Sequence, residues 1–310
     1  MSEFTLNQFS VQSDIHLSSV VSNHGSQGQP LRQLSIKSAC IEDIPCLARQ
    51  LRGQLSYDIG HGIIVERGSD SFYVSFQGDQ ILVNNQKQDY TTRLIAGPGI
   101  CACTILTKGL PLFASCVLIG DHLVGLLGNS GTGKSTILWA LLQSGCLFGS
   151  DDLVPIVFDN GFHTAYPSVS LFPKLRPPTL EHFGIDRQDL HRVTFGEDKF
   201  WVPLLPEQIT ACPKPLSALF LLQPLSTADT VTVRRNFMEK VAHVLSQCIQ
   251  NKWLAEKYLK PKVLADQYEM LASSVPVYTI SYSKSFEALP GITAAIVEAT
   301  HHPVRTEAIY

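Results

Sequence analysis

A chain of 310 residues, 45% hydrophobic and only 16% charged, has ample core material and is too apolar for a disordered protein. Its formal net charge of −3 gives no electrostatic footprint for nucleic acid or an anionic membrane, and no apolar run approaches the roughly 18 residues of a spanning helix. Met1-Ser2-Glu3-Phe4 lacks the basic start and apolar stretch of a signal peptide, so a cytoplasmic protein with neither nucleic-acid nor membrane partners is expected.

Residues 1–111 read as a β-rich region. Ser22–Arg32 gathers Ser, Asn, Gly, Gln and Pro without periodicity and is expected to be a loop. His61-Gly62-Ile63-Ile64-Val65 reads as a strand. His61 has no partner at metal-ligand or triad spacing, and a structural role is expected for it. Ser71–Phe76 and Gln80–Val83, joined by Gln77-Gly78-Asp79, form an expected hairpin. From Gly99 to Gly109, just after Pro98, the chain reads as an apolar helix stopped at Lys108-Gly109. Eight cysteines, at 40, 46, 101, 103, 116, 146, 212 and 248, include no C-x-x-C pair, so buried, reduced thiols are expected.

Leu112–Ile119 and His122–Leu127 are two apolar runs joined by Gly120-Asp121, a hairpin signal. The second run leads into Gly128-Asn129-Ser130-Gly131-Thr132-Gly133-Lys134-Ser135-Thr136, a full G-x-x-x-x-G-K-[ST] motif, and Ser135–Gln143 follows as a short helix. Such a loop turns backbone N–H groups toward phosphate oxygens at the positive end of a helix. Lys134 adds charge for the outer phosphates, and the Ser135 hydroxyl can ligate Mg²⁺. Binding of ATP, or another nucleoside triphosphate, with Mg²⁺ is therefore expected. Because a hairpin feeds the loop, its strand should pair antiparallel with the one before it, which makes the sheet mixed.

Asp151-Asp152 follows the apolar segment Cys146–Ser150. One carboxylate can serve the metal and the other can accept a proton. Leu153–Phe158 and Phe162–Tyr166, joined by Asp159-Asn160-Gly161, form a further hairpin. Lys174, Arg176, Arg187, Arg192 and Lys199 are candidates for an additional cation over the transferred phosphoryl group. Arg234-Arg235 precedes an amphipathic run, Phe237–Cys248, and is read as helix-surface charge.

Ala114-Ser115, then Gly128–Ser135, then Ser150-Asp151-Asp152 stand in the order that resembles the HPr kinase/phosphorylase superfamily. The match looks closest to its shorter bacterial relatives, among them kinases that tailor precursor peptides such as those of lasso peptides. It is specific over about 45 residues. Ser217–Leu222 and Val275–Ile280 also look like the family's late strands. The resemblance implies an α/β fold: an HPr kinase-like phosphate-loop domain with a mixed sheet over 112–310, joined to the N-terminal β-rich region of 1–111. It implies a kinase in which Lys134 and the loop amides hold the β- and γ-phosphates, and Ser135 and Asp152 hold Mg²⁺. Asp151 would take the proton from a serine hydroxyl of a peptide or protein. Relatives often assemble as homo-oligomers.

The residues themselves leave the division of roles between the two aspartates open. They also leave open a small-molecule alcohol as acceptor, and a nucleotide-binding regulator without transfer. One departure bears on this. Phe113, 21 residues before Lys134, stands where the family's His-Ala-Ser element places histidine. Its ring can neither shuttle a proton nor bond a phosphate.

Overall fold

The computed structural model of the protein describes residues 2–6, 9–15, 32–38, 56–58, 62–67, 70–84, 95–167, 172–193, 198–210, 212–226, 230–236 and 238–302. His61 and most of the expected Ser22–Arg32 loop lie outside them.

Seven strands form the first sheet: β1 (Ser2–Leu6), β2 (Phe9–Ser13), β3 (Arg32–Ser38), β4 (Ser56–Asp58), β5 (Gly62–Arg67), β6 (Asp70–Ser75) and β7 (Gln80–Asn84). Their order is β1-β2-β3-β7-β6-β5-β4. The expected hairpin is β6–β7, with Phe72 opposite Val83 and Val74 opposite Ile81. These four side chains share one face, as period-two alternation requires, and all are buried. A π-helical turn at Ile95–Gly99 then enters α1 (Ile100–Leu106), whose residues from Ile100 to Ile105 are all buried. A helix apolar on every side belongs inside, and α1 joins the core of the first sheet to that of the second. The left-handed stop falls on Lys108 (φ 64) rather than on Gly109. Gly109 instead permits close packing, since a Cβ there would lie 2.8 Å from Thr104 Cγ2 and 3.0 Å from the Ile156 carbonyl.

The second sheet is mixed. In chain order its elements and their flanking helices are β8 (Leu110–Leu112), β9 (Ala114–Ile119), β10 (His122–Leu127), α2 (Lys134–Gln143), β11 (Leu147–Ser150), β12 (Val154–Asp159) and β13 (Phe162–Ala165). A two-stranded flap, β14 (Lys174–Leu175) and β15 (Phe200–Trp201), brackets α3 (Pro177–His182). Then come β16 (Lys214–Leu225), β17 (Thr232–Arg235), α4 (Met238–Gln247), α5 (Lys252–Tyr258), α6 (Pro261–Ser274), β18 (Val277–Ser283) and α7 (Leu289–His301).

The run expected as one strand over 112–119 divides at Phe113. β8 pairs with β12, β9 pairs with β10 and β11, and the Phe113 N–H donates to the Cys248 carbonyl at 2.6 Å. The β9–β10 hairpin is antiparallel, whereas β10 runs parallel to β16 and β16 parallel to β18. Every residue of β9 is buried, because the sheet is covered on both faces. Cys116 and Leu118 point to one core cluster, and Val117 and Ile119 to the other, which α2 and α7 cap.

Asn160 and Gly161 both have positive φ, as a two-residue hairpin turn demands. Arg234 and Arg235 sit on edge strand β17, paired with β18, and not on a helix surface. Long charged side chains there keep the sheet edge from pairing further. Among the described cysteines Cys101, Cys103, Cys116 and Cys248 are buried, Cys146 is half-buried and Cys212 is exposed; all six are free. No described helix is long and apolar enough to cross a membrane.

Phe220 is fully buried at the centre of β16 and stacks on Tyr278 with ring centroids 5.3 Å apart. Phe220→Ala is expected to cost about 3–5 kcal/mol of stability, read as a lowered urea midpoint with an unchanged slope.

Candidate active site

The pairing directions gather the candidate residues at one edge of the second sheet. The parallel strands β10, β16 and β18 all end there, and β11 runs antiparallel to β9, so it ends there too. The loop 128–133 leaves β10 at this edge, Asp151 and Asp152 leave β11, and Lys284–Phe286 leave β18. Ligands of open α/β sheets characteristically bind outside the carboxyl ends of the strands. A cavity of about 400 Å³ lies here, within the size range of small-molecule sites.

The loop's geometry depends on its glycines. Gly133 caps α2 in the left-handed region (φ 104), and a Cβ on Gly128 would meet Thr132 Oγ1 at 2.7 Å. Lys134 folds back over the loop and donates to the carbonyls of Gly128 (2.7 Å) and Asn129 (3.3 Å). Its Nζ also stands 4.0 Å from the centroid of the Phe113 ring, a cation–π contact. Burial pulls the Lys134 ammonium below its ordinary value of 10.5, against the opposing pull of Asp152 and Asp151. On the other side, Tyr282 at the end of β18 donates to the Thr132 carbonyl at 2.5 Å, tying the loop to the sheet.

The two aspartates occupy different environments. Asp151 is 2% exposed. Its Oδ1 accepts from the Ser115 hydroxyl (2.8 Å), its Oδ2 accepts from the Lys174 backbone N–H (3.1 Å), and the Ser135 hydroxyl lies 3.2 and 3.1 Å from the two oxygens. Burial first, and the charge of Asp152 second, push the Asp151 carboxyl above its ordinary 3.8. Asp152 takes a left-handed backbone (φ 75), lines the cavity and forms a salt bridge with Lys174. Burial would raise it as well, but Lys174, Lys199 and Lys134 together hold it below 3.8. One carboxyl of the pair is thus biased toward a proton and the other toward charge.

The Ser135 hydroxyl therefore meets Asp151, whereas the resemblance joins Ser135 to Asp152. Of the five candidate cations, Lys174, Arg176 and Lys199 line the cavity. Lys174 Nζ also lies 5.1 Å from the Trp201 ring centroid, across the flap. Arg192 pairs instead with Asp198 at 3.1 Å on an exposed face, and Arg187 is exposed outside the lining. Sequence reasoning did not single out Thr179, Tyr282 or Phe286, each far in sequence from the loop and brought to it by the sheet.

Among the described residues no group of three or more His, Cys, Asp or Glu could hold a metal by itself. The oxygen-only set of Ser135 and Asp151, at the N-terminus of α2, still suits Mg²⁺, which keeps several waters and takes few protein ligands. The loop, Lys134 and the cationic wall likewise suit a polyphosphate.

No protein-family model matches the chain. No curated protein matches it. Among solved structures, the chain is similar to the Hpr(Ser) kinase/phosphatase from Coxiella burnetii at 13% identity, over 60% of this chain and 87% of that one, with a TM-score of 0.35. That likeness is distant.

Proposed function

We propose that this chain is a phosphotransferase that binds a nucleoside triphosphate, ATP foremost, with Mg²⁺ and passes the γ-phosphoryl group to a hydroxyl. The observation that carries this reading is the pairing of two carboxylates in unlike environments beside one glycine-rich helix start. Asp151 lies against the Ser135 hydroxyl, and Asp152 faces the cavity among three lysines. The loop amides and Lys134 would cradle the β- and γ-phosphates. Bound Mg²⁺ would supply charge neutralisation between the phosphates and the Ser135–Asp151 side.

The hydrogen bonds favour a division of labour opposite to the one the resemblance implies. Asp151, buried behind Ser135, serves the metal side, and Asp152, ionised and facing the cavity, accepts the proton of the incoming hydroxyl. A base must lie within hydrogen-bond reach of the proton it takes, and of the two carboxylates only Asp152 lines the cavity. Lys174, its ion-pair partner, is placed to follow the phosphoryl group as negative charge builds on it.

A serine of a peptide or protein is the leading acceptor, drawn from the order of motifs; a small-molecule alcohol is the alternative. Incubation with γ-labelled ATP and serine-containing peptides is expected to leave label on peptide. Label found only as free phosphate, or nowhere, would sink the kinase reading. A second reading, a nucleotide-binding regulator without transfer, draws on Phe113, which offers no proton beside Lys134.

A further inference from the structure

The cavity that holds the loop has a second, apolar end, built from Pro178 on α3, Phe286 after β18, and Leu289 and Ile292 on α7. Phe286 is half-buried, and His182 stacks on it with ring centroids 4.2 Å apart and planes 9° from parallel. An aromatic ring has two faces. His182 takes one and braces the ring, and Phe286 itself lines the cavity. Between the two ends, the hydroxyls of Thr136 and Thr179 lie 3.0 Å apart and join the first turn of α2 to α3. Lys284 and Ser285 put polar groups on the rim of the apolar end.

A cationic end and an aromatic, apolar end within one continuous cavity complement a molecule with a polyphosphate at one end and a flat heteroaromatic ring at the other. We infer that the nucleobase of the bound nucleotide packs on Phe286, with Pro178, Leu289 and Ile292 closing the slot and Thr136 and Thr179 marking the passage to the phosphates. Phe286 is then a specificity-determining residue: it selects nucleotides over bare polyphosphates. This inference rests on the triphosphate reading above and extends it to the base.

Inorganic tripolyphosphate carries the anion without the ring, so it separates the two. In calorimetric titrations of the full chain with Mg²⁺, the wild type is expected to bind ATP at least about tenfold more tightly than tripolyphosphate, since base–aromatic stacking is worth that much. Phe286→Leu, which keeps apolar volume and removes the ring, is expected to weaken ATP about tenfold and tripolyphosphate by less than about twofold. Phe286→Trp restores the stacking face, and ATP affinity with it. Equal losses for the two ligands in Phe286→Leu, unchanged ATP affinity in that variant, or a wild type that binds both ligands alike would overturn the inference and leave the triphosphate reading standing. A wild type that binds neither ligand overturns both.

Discussion

Lys134→Met is expected to lower kcat/KM for phosphoryl transfer by about 1000-fold or more, because it removes a cation fixed where charge develops in the transition state. The same substitution relieves a desolvation cost and removes the hydrogen bonds to the Gly128 and Asn129 carbonyls, effects of opposite sign on the fold. Burial depresses the Lys134 pKa below 10.5, so folding disfavours its charged form. For a cation whose folded pKa is depressed, the unfavourable contribution is fully present below the depressed value and fades as pH rises from there to 10.5. Methionine has a similar length, carries no charge and can still lie against the Phe113 ring. Nucleotide should raise the melting temperature of the wild type and leave that of Lys134→Met unchanged. A variant that retains transfer within about tenfold of wild type would remove Lys134 from the chemistry.

The second large effect separates the aspartates. Asp152→Asn should reduce transfer by about 100- to 10,000-fold, as loss of a general base does, with ATP affinity kept within a few-fold. Asp151→Asn should instead act through the metal side, raising the Mg²⁺ concentration that gives half-maximal rate. If Asp151→Asn abolishes transfer at saturating Mg²⁺ while Asp152→Asn remains active, the roles are those that the resemblance implies. Acid pH offers a further check. Asp152 is held below 3.8, so its charge and its pairing with Lys174 persist as pH falls toward that value and are lost only beneath it. Asp151 is raised above 3.8, so its charge is lost first on acidification. In the free protein without Mg²⁺, Asp151 should therefore take up its proton above pH 3.8 and Asp152 only below it, an order that a carboxyl titration of the metal-free protein checks.

Phe113 marks a difference between reading a residue and reading its neighbour. In sequence it is only a residue that cannot move a proton. In the fold it breaks a strand in two and lays its ring against the loop lysine. An aromatic face offers Lys134 a weak electrostatic partner without the hydration that a polar side chain would bring.

What is local was legible in the residues alone. The glycine-rich loop, its hairpin, the helix after it and the turn at Asp159-Asn160-Gly161 each follow from residue types within a few positions, because φ-permissive glycines and apolar periodicity act at short range. The adjacency of Asp151 and Asp152 was equally plain. Only the tertiary structure decided which carboxylate meets Ser135, because that depends on one left-handed residue, Asp152, and on Ser115 arriving from β9. It also decided that Arg192 turns away to Asp198 while Lys174 turns in, although both lie in the same charged stretch. Tyr282 reaches Thr132 across 150 residues of chain, and Phe286 reaches the cavity from just beyond it. Such contacts are set by the order in which β10, β16 and β18 align, a long-range property that no local window of residues encodes.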